Sequence, residues 1–154
     1  MAEGMRFEDL KVGQRVKVKG KLDGNGRLVA QEVKVKPYED EASVLGQIQT
    51  VDPQRKTVRV LNRELPMPEG ISVKGLSEPM PNWQSLKAGD WIKVKGAYVS
   101  SGRFEPEKIT MKDALADLPE ELRGPIDRID QSGKTLEVLG CTVATTQETA
   151  IEGL

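Results

Sequence analysis

The sequence predicts an all-β protein made of two small five-stranded barrels in tandem. Three observations predict it. Apolar and polar residues alternate with period two along most of the chain, glycine-bearing turns separate the alternating runs, and the chain repeats itself. Its 154 residues leave room for one ordinary domain or two very small ones, and the repeat decides for two.

The repeat has two parts. Residues 10–20 (LKVGQRVKVKG) recur as residues 86–96 (LKAGDWIKVKG), and the match continues without a gap to Lys36 and Lys112. The offset, read from Gly20 to Gly96, is 76. Residues 46–52 (GQIQTVD) and 57–61 (TVRVL) recur as 124–130 (GPIDRID) and 135–139 (TLEVL), and the offset from Gly46 to Gly124 is 78. The two offsets together equal the 154 residues, so the order is tail, head, tail, head. One module, 43–113, has its head and tail contiguous. The other is expected to be assembled from 6–37 plus 122–154, closing either within one chain or between neighbouring chains.

The elements follow in order. Val16 and Val18 alternate with Arg15, Lys17 and Lys19, and Val33 and Val35 with Lys34 and Lys36, which predicts two half-buried antiparallel strands joined at Asp23–Gly26. Ile48 and Val51, like Ile126 and Ile129, are three apart, which fits a bulged and coiled first strand. Val58 and Val60 flank Arg59 in the next strand. Ile92 and Val94 alternate with Trp91, Lys93 and Lys95, and Ser100–Gly102 supplies the following turn. Pro119 with Glu120 and Glu121 resembles a helical first turn, so 113–122 is read as a helical connector. Five short strands per module, the first long and bulged, suggest a Greek-key barrel of the OB type. The expected fold is therefore two small five-stranded OB-like barrels in tandem, one of them circularly permuted and assembled from the N- and C-terminal segments. Modules of this size bury only about 60% of their unfolded surface, which favours packing of the two together.

The run GxIxxVD, then TLEVLGCTV (residues 135–143), LKxGxxVxVxG, GRLVA (residues 26–30) and a closing VxV resembles a widespread bacterial domain family of unknown function built of tandem OB-like modules. The resemblance spans nearly the whole chain and departs from the family in the permuted phase. Family members are common in exported and cell-surface proteins, so the resemblance implies a periplasmic or extracellular mature chain. Composition alone leaves the cytoplasm equally open, since a lone cysteine reveals no redox compartment. The family brings no catalytic or binding residues with it.

Composition removes much familiar chemistry. There is no His and one Cys, Cys141, so His-based acid–base catalysis, Ser-His and Cys-His pairs and His or multi-Cys metal sites are excluded. A net charge of −1 supplies no bulk field toward nucleic acid or a membrane, and no apolar run approaches the roughly 18 residues of a membrane span. The N-terminal residues 1–6 lack the basic-then-apolar profile of an export signal. Gly133, Lys134 and Thr135 lack the earlier glycine of a phosphate loop, because position 128 is Arg, and read as a hairpin turn. Asp23–Gly26 reads as a turn rather than a calcium loop, because Arg27 and Leu28 stand at ligand and glycine positions.

The remaining candidates are the lysine stripes. Arg15, Lys17, Lys19, Lys34 and Lys36 share one side of their strands, and Trp91, Lys93, Lys95, Lys108 and Lys112 the matching side of the other module. Such stripes ordinarily solvate an outer face and protect strand edges. Joined to a stacking aromatic they can also follow a nucleic-acid backbone. Trp91 stands on the polar side, as a ligand platform, an interface anchor or a packing residue, whereas Phe7 and Trp83, equivalent in the repeat, read as barrel plugs. The functional expectation is a non-catalytic binding or assembly protein without cofactor or metal, acting through protein–protein or small-ligand contacts. Its partners would be a protein or a second copy of the chain, engaged through the split module, with no membrane insertion. The alternative is single-stranded nucleic-acid binding through Arg15, Lys17, Lys19, Lys93, Lys95 and Trp91.

Overall fold

The computed structural model describes residues 6–24, 26–75, 83–100, 103–112 and 119–153. Twelve strands appear among them: β1 (Arg15–Leu22), β2 (Leu28–Lys36), β3 (Glu41–Asp52), β4 (Thr57–Val60), β5 (Arg63–Pro66), β6 (Ser72–Lys74), β7 (Trp91–Ser100), β8 (Arg103–Lys112), β9 (Glu120–Asp130), β10 (Thr135–Val138), β11 (Cys141–Ala144) and β12 (Ala150–Glu152). Two 3-10 turns, Phe7–Asp9 and Trp83–Ser85, precede β1 and β7.

A closed five-strand barrel joins the two ends of the chain. β1 pairs antiparallel with β2 and with β9, β9 with β10, and β10 with β11. β11 then closes the ring by pairing parallel with β2 at Val143 with Leu28 and Ala144 with Val29. The alternating residues Val16, Val18, Leu28, Val33, Leu122, Leu136, Val138 and Val143 fill it, each no more than 2% exposed. β12 adds to β2 beyond the ring.

The remaining strands repeat most of these pairings. β3 pairs with β4 and β7, β4 with β5, β7 with β8, and β6 adds parallel to β8 as β12 does to β2. The closing ladder is the exception, for β5 and β8 lie side by side without forming one. Pro66 occupies the place in the repeat held by Ala144, and a proline has no N–H to donate to a ladder. The expected bulge in each long first strand is present: the register shifts between Ile48 and Thr50 in β3, and opposite Glu137 and Val138 in β9.

The two sets of strands join through their first strands. Ser43, Val44 and Leu45 of β3 pair with Arg123, Leu122 and Glu121 of β9. The sheet therefore runs without interruption through β1, β9, β3 and β7, and the buried side chains form one continuous core.

The helical connector expected over 113–122 does not hold where it can be followed. Glu120 to Leu122 belong to β9, captured by β1 on one edge and β3 on the other, and two ladders outweigh the local preference of a Pro-Glu-Glu start. Residues 113–118 lie outside the described residues, as do 101–102 of the second hairpin turn.

Candidate functional site

The sequence-derived candidates fall on one face. In a paired strand, residues directly opposite one another point to the same side. Lys17, Arg123, Ser43 and Lys95 form one row across β1, β9, β3 and β7, and Lys19, Glu121, Leu45 and Lys93 form the next. Between them Val18, Leu122, Val44 and Val94 point the other way, into the core, and are wholly buried. The two lysine stripes, read separately in the sequence, are thus one surface. Lys34 and Lys108 extend the first row outward opposite Lys17 and Lys95. Trp91, half-buried, pairs with Lys112 and Gln47 farther along β7.

Charges on this face are partly matched. Arg123 donates from Nε to Glu121 at 2.8 Å, Lys95 lies 3.7 Å from Glu41, and Lys34 reaches Glu152 at 3.3 Å and Glu32 at 3.8 Å. Among the described residues no carboxylate lies within ion-pair distance of Lys17, Lys19 or Lys93. The Lys17 ammonium is held below the usual lysine range, first by desolvation and then by Lys19. Lys93 is shifted the same way, first by desolvation and then by Lys95.

Arg15 departs from the expectation. It is 6% exposed and turns from the lysine row to donate from Nε and Nη2 to the Glu41 carbonyl, with Glu39 at 3.7 Å. It anchors the link between β2 and β3. Trp91 takes its place in the other half of the repeat.

A second feature, missed in the sequence, is a groove built twice. In the closed barrel a groove of about 520 Å³ opens between the Phe7 turn, Lys134 and the Thr145–Ile151 segment. In the other half a groove of about 310 Å³ is lined by Trp83, Gln84, Lys56, Met67, Glu69 and Ile71. By the offsets of 76 and 78 these are the counterparts of Phe7, Glu8, Lys134, Thr145, Gln147 and Thr149. Phe7 and Trp83 are each 5% exposed and form the floor. Lys134 lies 5.4 Å from the Phe7 ring centroid and pairs with Glu8, which holds the Glu8 carboxyl below its ordinary value. Met67, 3% exposed, occupies the place of Thr145. The signal was present in the repeat alignment as a methionine aligned with a threonine.

The 3-10 turns are positioned by the Leu-Lys-x-Gly segments that follow them. Gly13 and Gly89 adopt φ of 94° and 97°, a region that glycine enters without strain. Gly13 N–H donates to the Ile126 carbonyl at 2.9 Å and Gly89 N–H to that of Ile48 at 2.8 Å, so each turn is clamped onto the bulged strand.

The other candidates are structural. Asp130 accepts from the N–H groups of Ser132 and Gly133 and from the Ser132 hydroxyl, contacts that hold its carboxyl low and leave Gly133–Lys134 in a tight turn. Arg27 is bound to Asp23 through its backbone and its guanidinium. Cys141 is buried, and burial pushes its thiol up to about 12, far from a reactive thiolate. Among the described residues no group of three His, Cys, Asp or Glu side chains is placed to hold a metal ion, and no helix is long and apolar enough to cross a membrane.

No curated protein and no solved structure matches this chain. A family model described as a domain of unknown function (DUF5666) matches two segments, residues 2–34 and 123–154. The matched segments carry β1, most of β2 and β9 to β12, so the similarity falls on the strands of the closed barrel. Over its two ends, then, the chain is similar to a domain of unknown function.

Proposed function

We propose that this chain is a non-catalytic binding protein of two OB-like modules in tandem. One is contiguous over 43–113, and the other is permuted and closed from 6–37 with 122–154. It takes a small polar ligand in the groove beside Phe7. The supporting observation is the divergence of one groove built twice: with Met67 in its wall it has about 310 Å³ in one half, and with Thr145 there it has about 520 Å³ in the other. Its rim carries hydroxyl, amide and paired charged groups above an aromatic floor, the mixture of apolar surface and few polar contacts that small-molecule sites show. The non-catalytic reading rests on the lack of His and on the burial of the single thiol.

Thr145→Met tests this reading, because it gives the groove the side chain that the other half already accommodates. Thermal shift against neutral monosaccharides, amino acids and dipeptides should give a hit that Thr145→Met abolishes, while the unliganded melting temperature falls only by the loss of the hydrogen bond that the Thr145 hydroxyl donates to the Lys134 carbonyl at 2.7 Å. A ligand at about 100 times its Kd stabilises by roughly 2.7 kcal/mol, which a melt resolves. Absence of any hit, or a hit that Thr145→Met leaves unchanged, rejects the groove as the site.

A further inference from the structure

We propose that the outer face of β1, β9, β3 and β7 is a docking surface for the phosphate backbone of a single-stranded nucleic acid. The proposal is independent of the groove. Its basis is charge: Lys17, Lys19, Lys93, Lys95 and Arg123 stand in two adjacent rows across these strands of one sheet, rows whose one carboxylate, Glu121, is paired with Arg123, in a protein whose net charge is −1. The arrangement exists only because β3 and β9 pair, which brings the stripe of each half beside the other.

Three of the five, Lys17, Lys19 and Lys93, lack a carboxylate at ion-pair distance among the described residues, and Lys95 has only an exposed contact with Glu41. Like charges two residues apart on one strand repel, and here the arrangement occurs twice, as Lys17 with Lys19 and as Lys93 with Lys95. An anion laid across the rows would relieve both pairs. Trp91, two residues from Lys93 on the same side of β7, adds an aromatic face on which a base can stack.

The dimensions separate the polyanions. Four strands span about 14 Å at the usual inter-strand spacing, too wide for the roughly 12 Å major groove that admits a two-stranded ribbon. An extended single strand has no such limit. A membrane surface would need apolar side chains standing out among the lysines, and the large hydrophobics most exposed among the described residues, Val12, Tyr38 and Val99, are not in either lysine row.

Fluorescence anisotropy of a labelled twelve-residue oligothymidylate with the full chain tests the proposal. Binding at low salt should weaken with a log–log salt slope of about −3.5, the value for about five phosphate contacts on a single strand. The combined variant K17Q/K19Q/K93Q/K95Q should bind at least tenfold more weakly with a slope near −1, at unchanged circular dichroism and melting temperature. Should that variant fold poorly, the pair K17Q/K93Q is read the same way, with a slope loss of about one and a half. Trp91→Leu should weaken binding about tenfold, and Trp91→Phe much less. The proposal fails if the oligonucleotide does not bind at low salt, if the lysine variants bind as the parent does, or if blunt duplex or phosphatidylserine vesicles bind more tightly.

Discussion

Val44 lies directly opposite Leu122 in the pairing of β3 with β9, and the two occupy the same place in the repeat, 78 residues apart. The flanking pairs obey the same exchange. Ser43 faces Arg123 and Leu45 faces Glu121, while Ser43 corresponds to Glu121 and Leu45 to Arg123. This is the self-complementary pattern of a two-fold interface, realised inside one chain. Tyr98 strengthens the junction, its hydroxyl donating to Asp127 at 2.8 Å across the two halves. Arg63 does so as well, donating from Nε to the Leu139 carbonyl at 3.0 Å.

A shared core predicts shared unfolding. Leu122 is wholly buried at the junction, so Leu122→Ala should cost about 2–5 kcal/mol. Both tryptophans, Trp83 and Trp91, lie in the other half. In urea, their fluorescence and the far-UV circular dichroism should shift together to the same lower midpoint. An unmoved tryptophan midpoint would show that the halves unfold separately.

Closure of the barrel within the chain predicts a monomer. β1 and β9 meet in one molecule, so light scattering on a sizing column should give 17.0 kDa across a wide dilution range. A larger mass that falls on dilution would show exchange of halves between chains.

Two glycines should resist substitution for a steric reason. A Cβ at Gly96 would lie 2.0 Å from the Glu105 carbonyl oxygen, and one at Gly20 would lie 2.1 Å from that of Val29. Both sit where the hairpin register shifts. Gly96→Ala and Gly20→Ala should each destabilise by about 3 kcal/mol in chemical denaturation. Gly24→Ala, with nothing within 4 Å of its Cβ, should stay within about 0.5 kcal/mol of the parent.

Alkali should unfold the protein in a defined window. Burial raises the Cys141 thiol from 9.0 to about 12, and burial with the Asp127 hydrogen bond raises the Tyr98 phenol from 10.0 to about 12. In both cases the folded state holds the proton longer than the unfolded state. Their contributions are therefore complete below about pH 9, and are lost as pH rises through 9 to 12 for Cys141 and 10 to 12 for Tyr98. Cys141→Val should move the onset of the decline from about pH 9 toward pH 10 in urea midpoints taken across that range. An unchanged onset would assign the decline to other groups.

The sequence by itself determined the repeat, most of the strands and the faces of the alternating ones, but not β6, β12 or the start of β9, because period-two alternation and turn glycines are local signals. Val16, Val18, Ile92 and Val94 could be placed on the inner side of their strands, and Phe7 and Trp83 as barrel plugs, without knowing which strands touch. The family resemblance was legible for the same reason, since turn glycines and core aliphatics carry it. Only the tertiary structure decided what the repeats do to one another. The fate of Glu120–Leu122 depended on two strands far away in sequence, and a proline with two glutamates suggested a helix until those ladders existed. Arg15 looked like part of a lysine stripe until the Glu41 carbonyl came within reach. The merging of the stripes needed the pairing of β3 with β9, and the open groove needed Thr145 to face Phe7 from the opposite end of the chain. Each is a contact between residues distant in sequence, set by which hydrogen-bonding edges and apolar faces remain to be covered once the local strands have formed.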